Sequence, residues 1–512
     1  MNVLFASAEV TPFAKVGGLG DVVGSLPKAL RAQGIDARVL MPLHGSIDRA
    51  KYGIKPIFRY PFTRRNSSGD VTIHYAEYDG VPIYFMASWP FFGEGNTVYG
   101  DIPWDMKRFV FFSQTILATV VHFRLGAGGL EPWSPDVLHV HDWHTALASF
   151  LLEEARRDPA WERTGSVLSI HNMAYQGTEA GGYLWDAGVP GRHNPDLVYQ
   201  DKTDNVLGMG IAYSDMLSTV SPRYATEIQY PRFGEGLEGL VRLRNIDGDV
   251  RGILNGIDVD RWNPATDPWI ANPYSVDNFQ EARALNKAAL QQESGLAARP
   301  DVPLIAMITR LVEQKGADLA IGALYRLLAD TDCQFVVLGT GDPALEVAFR
   351  RLCDTFAWKA TAYLKFDPML SQRIYSACDL FLMPSRYEPC GLGQMMAMRY
   401  GALPVVRETG GLADTVHNYD NGEVGTGFVF LWEEADAVLN TLRWAVHTYR
   451  FNPSAFDRMQ QRAMLMDFSW TKSAREYIAV YERALSKHLP ASTSQPETKT
   501  KRKKSKRSTE SA

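Results

Sequence analysis

The chain twice sets out the same order of elements: a short apolar run, a glycine-bearing turn, then a segment with apolar residues three and four apart. The first set begins at Val3 to Ala8 and continues through Lys15-Val16-Gly17-Gly18-Leu19-Gly20-Asp21. It then enters a helix marked by Val22, Val23, Leu26, Ala29 and Leu30. Short β-branched runs follow at 37–41, 137–141 and 166–170, with helical segments between several of them. The second set restarts at Pro303, where PLIAMITRL reads as a buried strand. KGADLAIGALYRLLA reads as a helix with its stripe at Leu319, Ala320, Ala323, Leu324 and Leu327, and CQFVVLG and DLFLMPS are further strands. Strand–helix alternation of this kind makes a parallel sheet covered on both faces, so the fold class is α/β with two doubly wound units. Ligands of such sheets bind beyond the carboxyl ends of the strands. Two units facing each other would put a site in the cleft between them.

The join lies near 245–265, where Asn, Gly, Asp and Pro cluster. We expect one domain over 1–250, a second over 251–467, and a helix over 468–489 packed back on the first. Residues 490–512 hold no large apolar side chain and read as a disordered basic tail, dispensable for chemistry. The tail carries seven Lys or Arg and two Glu, so the net charge of −5 conceals −10 on the residues before it. So acidic a body makes nucleic acid an unlikely partner. No run of about 18 uncharged apolar residues occurs, which argues against a membrane span. Residues 2–10 lack a preceding basic region and contain Glu9, which argues against a secretory signal. The gaps between Cys333, Cys353, Cys378 and Cys390 match neither a zinc ribbon nor a redox pair. A cytoplasmic setting with idle thiols is the expectation.

Five motifs fall at strand ends. KVGGLGD (15–21) could bring backbone N–H groups over Gly17 to Gly20 to an anion, with Lys15 as a mobile cation and Asp21 as a helix cap. It is neither GxGxxG nor a P-loop, and a plain structural turn is an equal reading. HVHDWH (139–144) offers imidazole, carboxylate and indole to a polyol; metal ligation by His139, His141 and Asp142 is the less favoured reading, and a core role for His139 stays open. His171 and Asn172 end the next strand. Arg310 and Lys315 place two cations at one strand–helix junction, suited to a departing diphosphate. Glu388 precedes a glycine-bearing helix start at Gly391–Gly393, and RETGGLADTV (407–416) supplies a third glycine turn.

KVGGLGD, HDWH, HNMAYQG, ILNGID, TRLVEQKG, PSRYEPCGLGQ and ETGGLAD, in this order, resemble the bacterial glycogen synthase and starch synthase family from Met1 to about Leu489. The resemblance implies two Rossmann-like domains of the GT-B type, the first on the acceptor side and the second binding the nucleotide sugar. It implies transfer of glucose from ADP-glucose to the non-reducing end of an α-1,4-glucan, with retention and without cofactor or metal. Lys15 and the amides of Gly17 and Gly18 would contact the donor phosphates, and Asp21 would belong to the same ADP-glucose site. Arg310 and Lys315 would neutralise ADP, helped by the amides of Leu392 and Gly393. Glu388 would bond the glucose 3- and 4-hydroxyls, His171 would approach the 6-hydroxyl, and Asp142 would lie beside the reacting centre. Asn255 would line the sugar site and Phe366 would face adenine. Tyr99 and Asp101, in NTVYGD, resemble the acceptor-side loop. Two positions depart from the family: Met396 stands where many retaining relatives carry a second Glu, and Gly393 where Thr or Asn is common. With no second carboxylate clearly placed, front-face substitution is favoured over a covalent route. A sucrose- or trehalose-forming relative, an oxidoreductase and an inactive glucan-binding scaffold are the rival readings.

Overall fold

A computed structural model of the chain describes residues 1–95, 97–420 and 424–489. The tail, with its basic run Lys501 to Lys504, lies outside the described residues, as does Asn96 of the NTVYGD loop.

The first sheet contains β1 (Asn2–Ala6), β2 (Asp36–Pro42), β3 (Lys55–Arg64), β4 (Ser67–Tyr78), β5 (Val81–Ala87), β6 (Val137–His141), β7 (Gly165–Ile170), β8 (Met216–Thr219) and β9 (Val250–Gly252). Their spatial order is β3-β4-β5-β2-β1-β6-β7-β8-β9. The second contains β10 (Leu304–Ile308), β11 (Gln334–Leu338), β12 (Ala360–Tyr363), β13 (Leu380–Met383), β14 (Leu403–Arg407) and β15 (Phe428–Phe430), in the order β12-β11-β10-β13-β14-β15. All its ladders are parallel. Each sheet reverses direction once around its first strand, between β1 and β6 and between β10 and β13. A crevice opens at such a reversal because the flanking crossovers depart to opposite faces.

The first sheet is not purely parallel. β3–β4 and β4–β5 pair antiparallel. β4 turns into β5 through Asp79 (φ 52°) and Gly80 (φ 74°), the two left-handed residues that a tight hairpin requires. Much of β3 and the start of β4 are exposed, which an edge hairpin permits and a doubly covered parallel strand does not.

The helix Gly18–Arg31 buries Leu19, Val22, Val23, Leu26 and Leu30, each worth about 1.5–3 kcal/mol of transfer free energy. It starts at Gly18, inside the expected loop. Gly17 holds the cap position in extended conformation with no side-chain cap. The chain leaves the first sheet after Gly252 and returns along the same track, where Ile257 N donates to Phe468 O at 2.8 Å and Ser473 Oγ to Leu254 O at 2.5 Å. The helix Trp470–Ser486 then packs Trp470, Ala474, Tyr477, Tyr481 and Ala484 into the core that holds Val3, Phe5 and Leu26. The two sheets are tied directly as well: Ser221 Oγ donates to Pro389 O at 2.6 Å and Arg223 N to Asp414 Oδ2 at 2.8 Å. Among the described residues no helix is long and apolar enough to cross a membrane.

Candidate active site

At the reversal of the second sheet, the loops after β10 and β13 meet. Gly316 (φ 67°) makes this possible, since a Cβ there would stand 2.0 Å from Pro384 O. Arg386 N donates to Gln314 O at 2.8 Å, and Arg407 Nε to Ser385 O at 2.8 Å. Lys315 Nζ thereby reaches both oxygens of Glu388, at 2.8 and 2.6 Å, and Ser385 Oγ donates to Oε2 at 2.9 Å. Glu388 is 5% exposed. A buried carboxylate is retained in charged form only when paired and hydrogen-bonded in this way. Arg310, at the end of β10, is exposed and makes no ion pair among the described residues. The helix Gly393–Arg399 opens at Leu392 and Gly393, whose amides precede its first intrahelical bond. Phe366 is 84% exposed, in the loop after β12.

At the reversal of the first sheet, an unforeseen residue organises the loop. Glu9 is buried, and its Oε2 accepts from Val16 N at 2.6 Å and Gly17 N at 2.8 Å. Its Oε1 accepts from Tyr99 Oη at 2.6 Å. Burial, then the neighbouring Glu9, hold the Tyr99 phenol well above its usual range, so it stays a donor. The Gly17 amide assigned to phosphate is therefore already engaged by the protein. Gly18 is different: a Cβ there would meet nothing within 4 Å. Asp21 does not cap the helix. It lies in the first turn and pairs with Lys15 Nζ at 2.7 Å. Asp101 caps the helix Ile102–Arg124, accepting from Trp104 N at 2.8 Å.

Asp142 follows β6 in left-handed conformation (φ 52°), directly after His141, the last residue of the strand. Its Oδ1 accepts from His171 N at 2.7 Å. Burial raises its carboxyl to about 7, against the amides of His171 and Asn172 that lower it. Behind it, His171 Nε2 lies 3.0 Å from His141 Nδ1. His139 is fully satisfied in the core, with Tyr481 Oη at 2.9 Å and Ser169 Oγ at 2.7 Å. Asn255, on the crossing segment, is buried and its Oδ1 has no partner. The third glycine turn is not an open anion site, because Gly410 N donates to the Glu227 carboxylate at 3.1 Å. Tyr387, beside Glu388, is within electrostatic range of Arg310 in its own unit and of Tyr175 and Glu235 from the other. The structure thus gathers Arg310, Lys315 and Glu388 at one reversal, and Lys15, Gly18, Asp142 and His171 at the other. Glu9 and Ser385 are supporting residues that sequence reasoning missed; His141, read from the sequence as a sugar contact or a less favoured metal ligand, instead lies behind His171. For Glu9 there was a signal: a lone carboxylate directly after a buried strand. Among the described residues no group of three His, Cys, Asp or Glu side chains could hold a metal ion.

The buried imidazoles make the fold acid-sensitive. Burial pushes His44 to about 4 and His144 and His171 to about 3, and holds His139 and His141 well below the usual value. These groups are neutral when folded and protonated when unfolded below about pH 6.5. His44, His144 and His171 each cost about 2 kcal/mol at pH 5 relative to pH 7, and His139 and His141 act in the same direction. Asp142, raised to about 7, acts in the opposite direction and offsets roughly one histidine. We expect the urea midpoint, read by tryptophan fluorescence, to fall clearly between pH 7 and pH 5. An equal or higher midpoint at pH 5 would contradict the neutral assignment.

Residues 2–243 match the starch synthase catalytic domain, and residues 291–461 match the glycosyl transferases group 1 domain. The chain is 43% identical over 488 residues to the glycogen synthase of Anaeromyxobacter sp. (strain Fw109-5), covering 94% of this chain and 99% of the relative. It is 40% identical over 495 residues to that of Thermosipho melanesiensis, covering 96% and 100%. Among solved structures, the catalytic domain of starch synthase IV from Arabidopsis thaliana bound to ADP and acarbose superposes with a TM-score of 0.84 at 33% identity, covering 95% of this chain and 99% of that one. Sucrose-phosphate synthase from Thermosynechococcus elongatus, with a TM-score of 0.60 at 17% identity over 95% of this chain and 99% of that one, shares the fold alone. The two sheets are the paired Rossmann-like units of a GT-B glycosyltransferase, and the chain belongs to the glycogen and starch synthase family of glucan-synthesising enzymes.

Proposed function

We propose that the protein transfers glucose from ADP-glucose to the 4-hydroxyl at the non-reducing end of an α-1,4-glucan, with retention. The observation that carries this reading is the Lys315–Glu388 pair at the reversal of the second sheet, with Arg310 exposed beside it. An ammonium has three N–H donors, and two here go to Glu388. The third is left for a phosphate oxygen. The carboxylate accepts from Lys315 and Ser385 and retains acceptor capacity for sugar hydroxyls. In the proposed step the bond from C1 of glucose to the β-phosphate oxygen breaks, and its electron pair leaves with ADP. The acceptor oxygen bonds C1 on the same face, and its proton passes to the departing phosphate. Arg310, Lys315 and the amides of Leu392 and Gly393 stabilise the charge that grows there. Lys15 and the Gly18 backbone approach from the other unit, Asn255 and His171 line the sugar, and Phe366 supplies a ring for adenine. Tyr99 and Asp101 lie on the acceptor side. Asp142 already accepts from the His171 amide at 2.7 Å, and no second carboxylate is clearly placed for a covalent route. That favours front-face substitution. The bound state of the starch synthase relative, which holds ADP and acarbose, is consistent with such a pair of ligands.

The test is nucleotide release with glycogen and ADP-glucose or UDP-glucose, with and without EDTA. We expect strong preference for ADP-glucose and an unchanged rate in chelator. Equal rates with the two donors would overturn the donor assignment, and full loss in EDTA would overturn metal-free transfer.

Gly18 provides a second test. An alanine there fits the free protein, since nothing lies within 4 Å of its Cβ, and at a helix start it stabilises by up to about 1 kcal/mol. The same methyl group occupies the space through which a phosphate would approach the backbone. Gly18→Ala should keep or raise Tm while raising the donor KM by about tenfold, the effect of one lost charge-assisted hydrogen bond. A wild-type KM would show that the donor does not approach there.

A further inference from the structure

His141 is not carried into the site by any feature of the reaction, yet it is placed with unusual constraint. Its ring is stacked on Phe5, with centroids 5.6 Å apart and 18° between planes, and lies against His139 at 4.2 Å. Its Nδ1 is 3.0 Å from His171 Nε2, and its own Nε2 is buried with no partner. Burial keeps both rings neutral. One proton must therefore lie between the two nitrogens, and it can belong to either ring. If His171 Nε2 carried it, the remaining proton of His141 would sit on Nε2, an N–H buried without an acceptor. If His141 Nδ1 carries it, Nε2 of His141 is a bare lone pair. Orphaned buried N–H groups are the rarer and costlier of the two. The second arrangement wins, and it leaves His171 with its proton on Nδ1. Among the described residues that atom makes no hydrogen bond, and it is not one of the buried unpartnered atoms, so it faces accessible space.

We propose that His141 is a positioning residue that locks His171 in the Nδ1–H tautomer, so that His171 presents a hydrogen-bond donor to the cleft. On the proposed function, which this rests on for its consequence, His171 then donates to an oxygen of the transferred sugar. In that tautomer its only free nitrogen, Nε2, is turned inward to His141, so His171 is not the base that takes the acceptor proton.

The tautomer is read directly by long-range 1H–15N correlation on the full chain labelled with 15N-histidine at neutral pH. The His171 signals are assigned by their loss in His171→Gln. In the wild type, His171 Nδ1 should show the shift of a protonated ring nitrogen and Nε2 that of a bare one. In His141→Phe, which keeps the ring stack and removes the donor, His171 should move toward the Nε2–H form that free imidazole prefers. His141→Asn, whose amide can stand in for the Nδ1–H, should restore the wild-type pattern. The kcat/KM for ADP-glucose should fall roughly two- to tenfold in His141→Phe, the worth of one neutral hydrogen bond, and recover in His141→Asn. A wild-type Nε2–H signal, or an unchanged tautomer in His141→Phe, would overturn the proposal. If His141→Phe does not fold, the wild-type spectrum alone decides. The spectra need no donor, so they separate a wrong tautomer from a wrong substrate.

Discussion

Glu388→Ala should lower kcat at least about 100-fold, the loss expected if Glu388 makes a contact that strengthens when charge develops at the sugar. The structure adds a second effect. Glu388 takes both hydrogen bonds from a Lys315 side chain that is itself only 17% exposed, so its loss strands a partly desolvated ammonium. Breaking a fully buried pair costs about 3–5 kcal/mol; the residual exposure of Lys315 puts this one at the low end or below. Lys315→Ala frees Glu388 in turn, so the two residues act as a unit. The double variant should be scarcely worse in kcat than the poorer single one. Strict additivity of the two losses would show that the pair does not work together, and wild-type kcat in Glu388→Ala would remove it from the site.

Gly410→Ala should damage the same residue from behind. Gly410 has φ 44°, and a Cβ on it would stand 1.9 Å from the carbonyl oxygen of Glu388 and 2.8 Å from its carbon. No side-chain rotation relieves a backbone contact, so the 388–390 loop or the helix Gly410–Thr415 must shift. The left-handed conformation and the clash together cost about 2–4 kcal/mol. The displaced Glu388 should lose a large part of its activity even where the variant is fully folded. Activity at a temperature well below the variant's Tm separates the two effects. Wild-type Tm and kcat together would mean that the glycine turn does not buttress Glu388.

Strand–helix alternation is a local pattern, so β1, β2, β6, β7, β10 and β13 and the helices after β1 and β10 are legible from burial periodicity alone. The edge hairpins β3–β4–β5 were also written locally, in the Asp79–Gly80 turn, but an expectation of parallel pairing passed over it. The resemblance to a family rests on loop motifs, and those loops do lie at the two sheet reversals. Partnership was not legible. Lys315 and Glu388 are 73 residues apart, and nothing in either motif says that the cation is shared with the carboxylate. Gly17 looked like a phosphate amide because glycine turns bind anions; Glu9, eight residues earlier, is the anion it binds here. Asp21 had the composition of a cap, but the helix begins three residues sooner and leaves it to Lys15. The neutral state of His171 depends on burial beside His141, thirty residues away in the chain, which only the fold assembles.

On the proposed function, these two reversals together move one glucose onto a glucan with retention. This is tested most directly by supplying ADP-glucose labelled with 13C at C1 to a short maltooligosaccharide and following the anomeric signal by NMR. An α-1,4 linkage is expected as the first product, on the non-reducing end, with one ADP released per residue added. A β linkage, or labelled free glucose as the main product in the presence of acceptor, would contradict it.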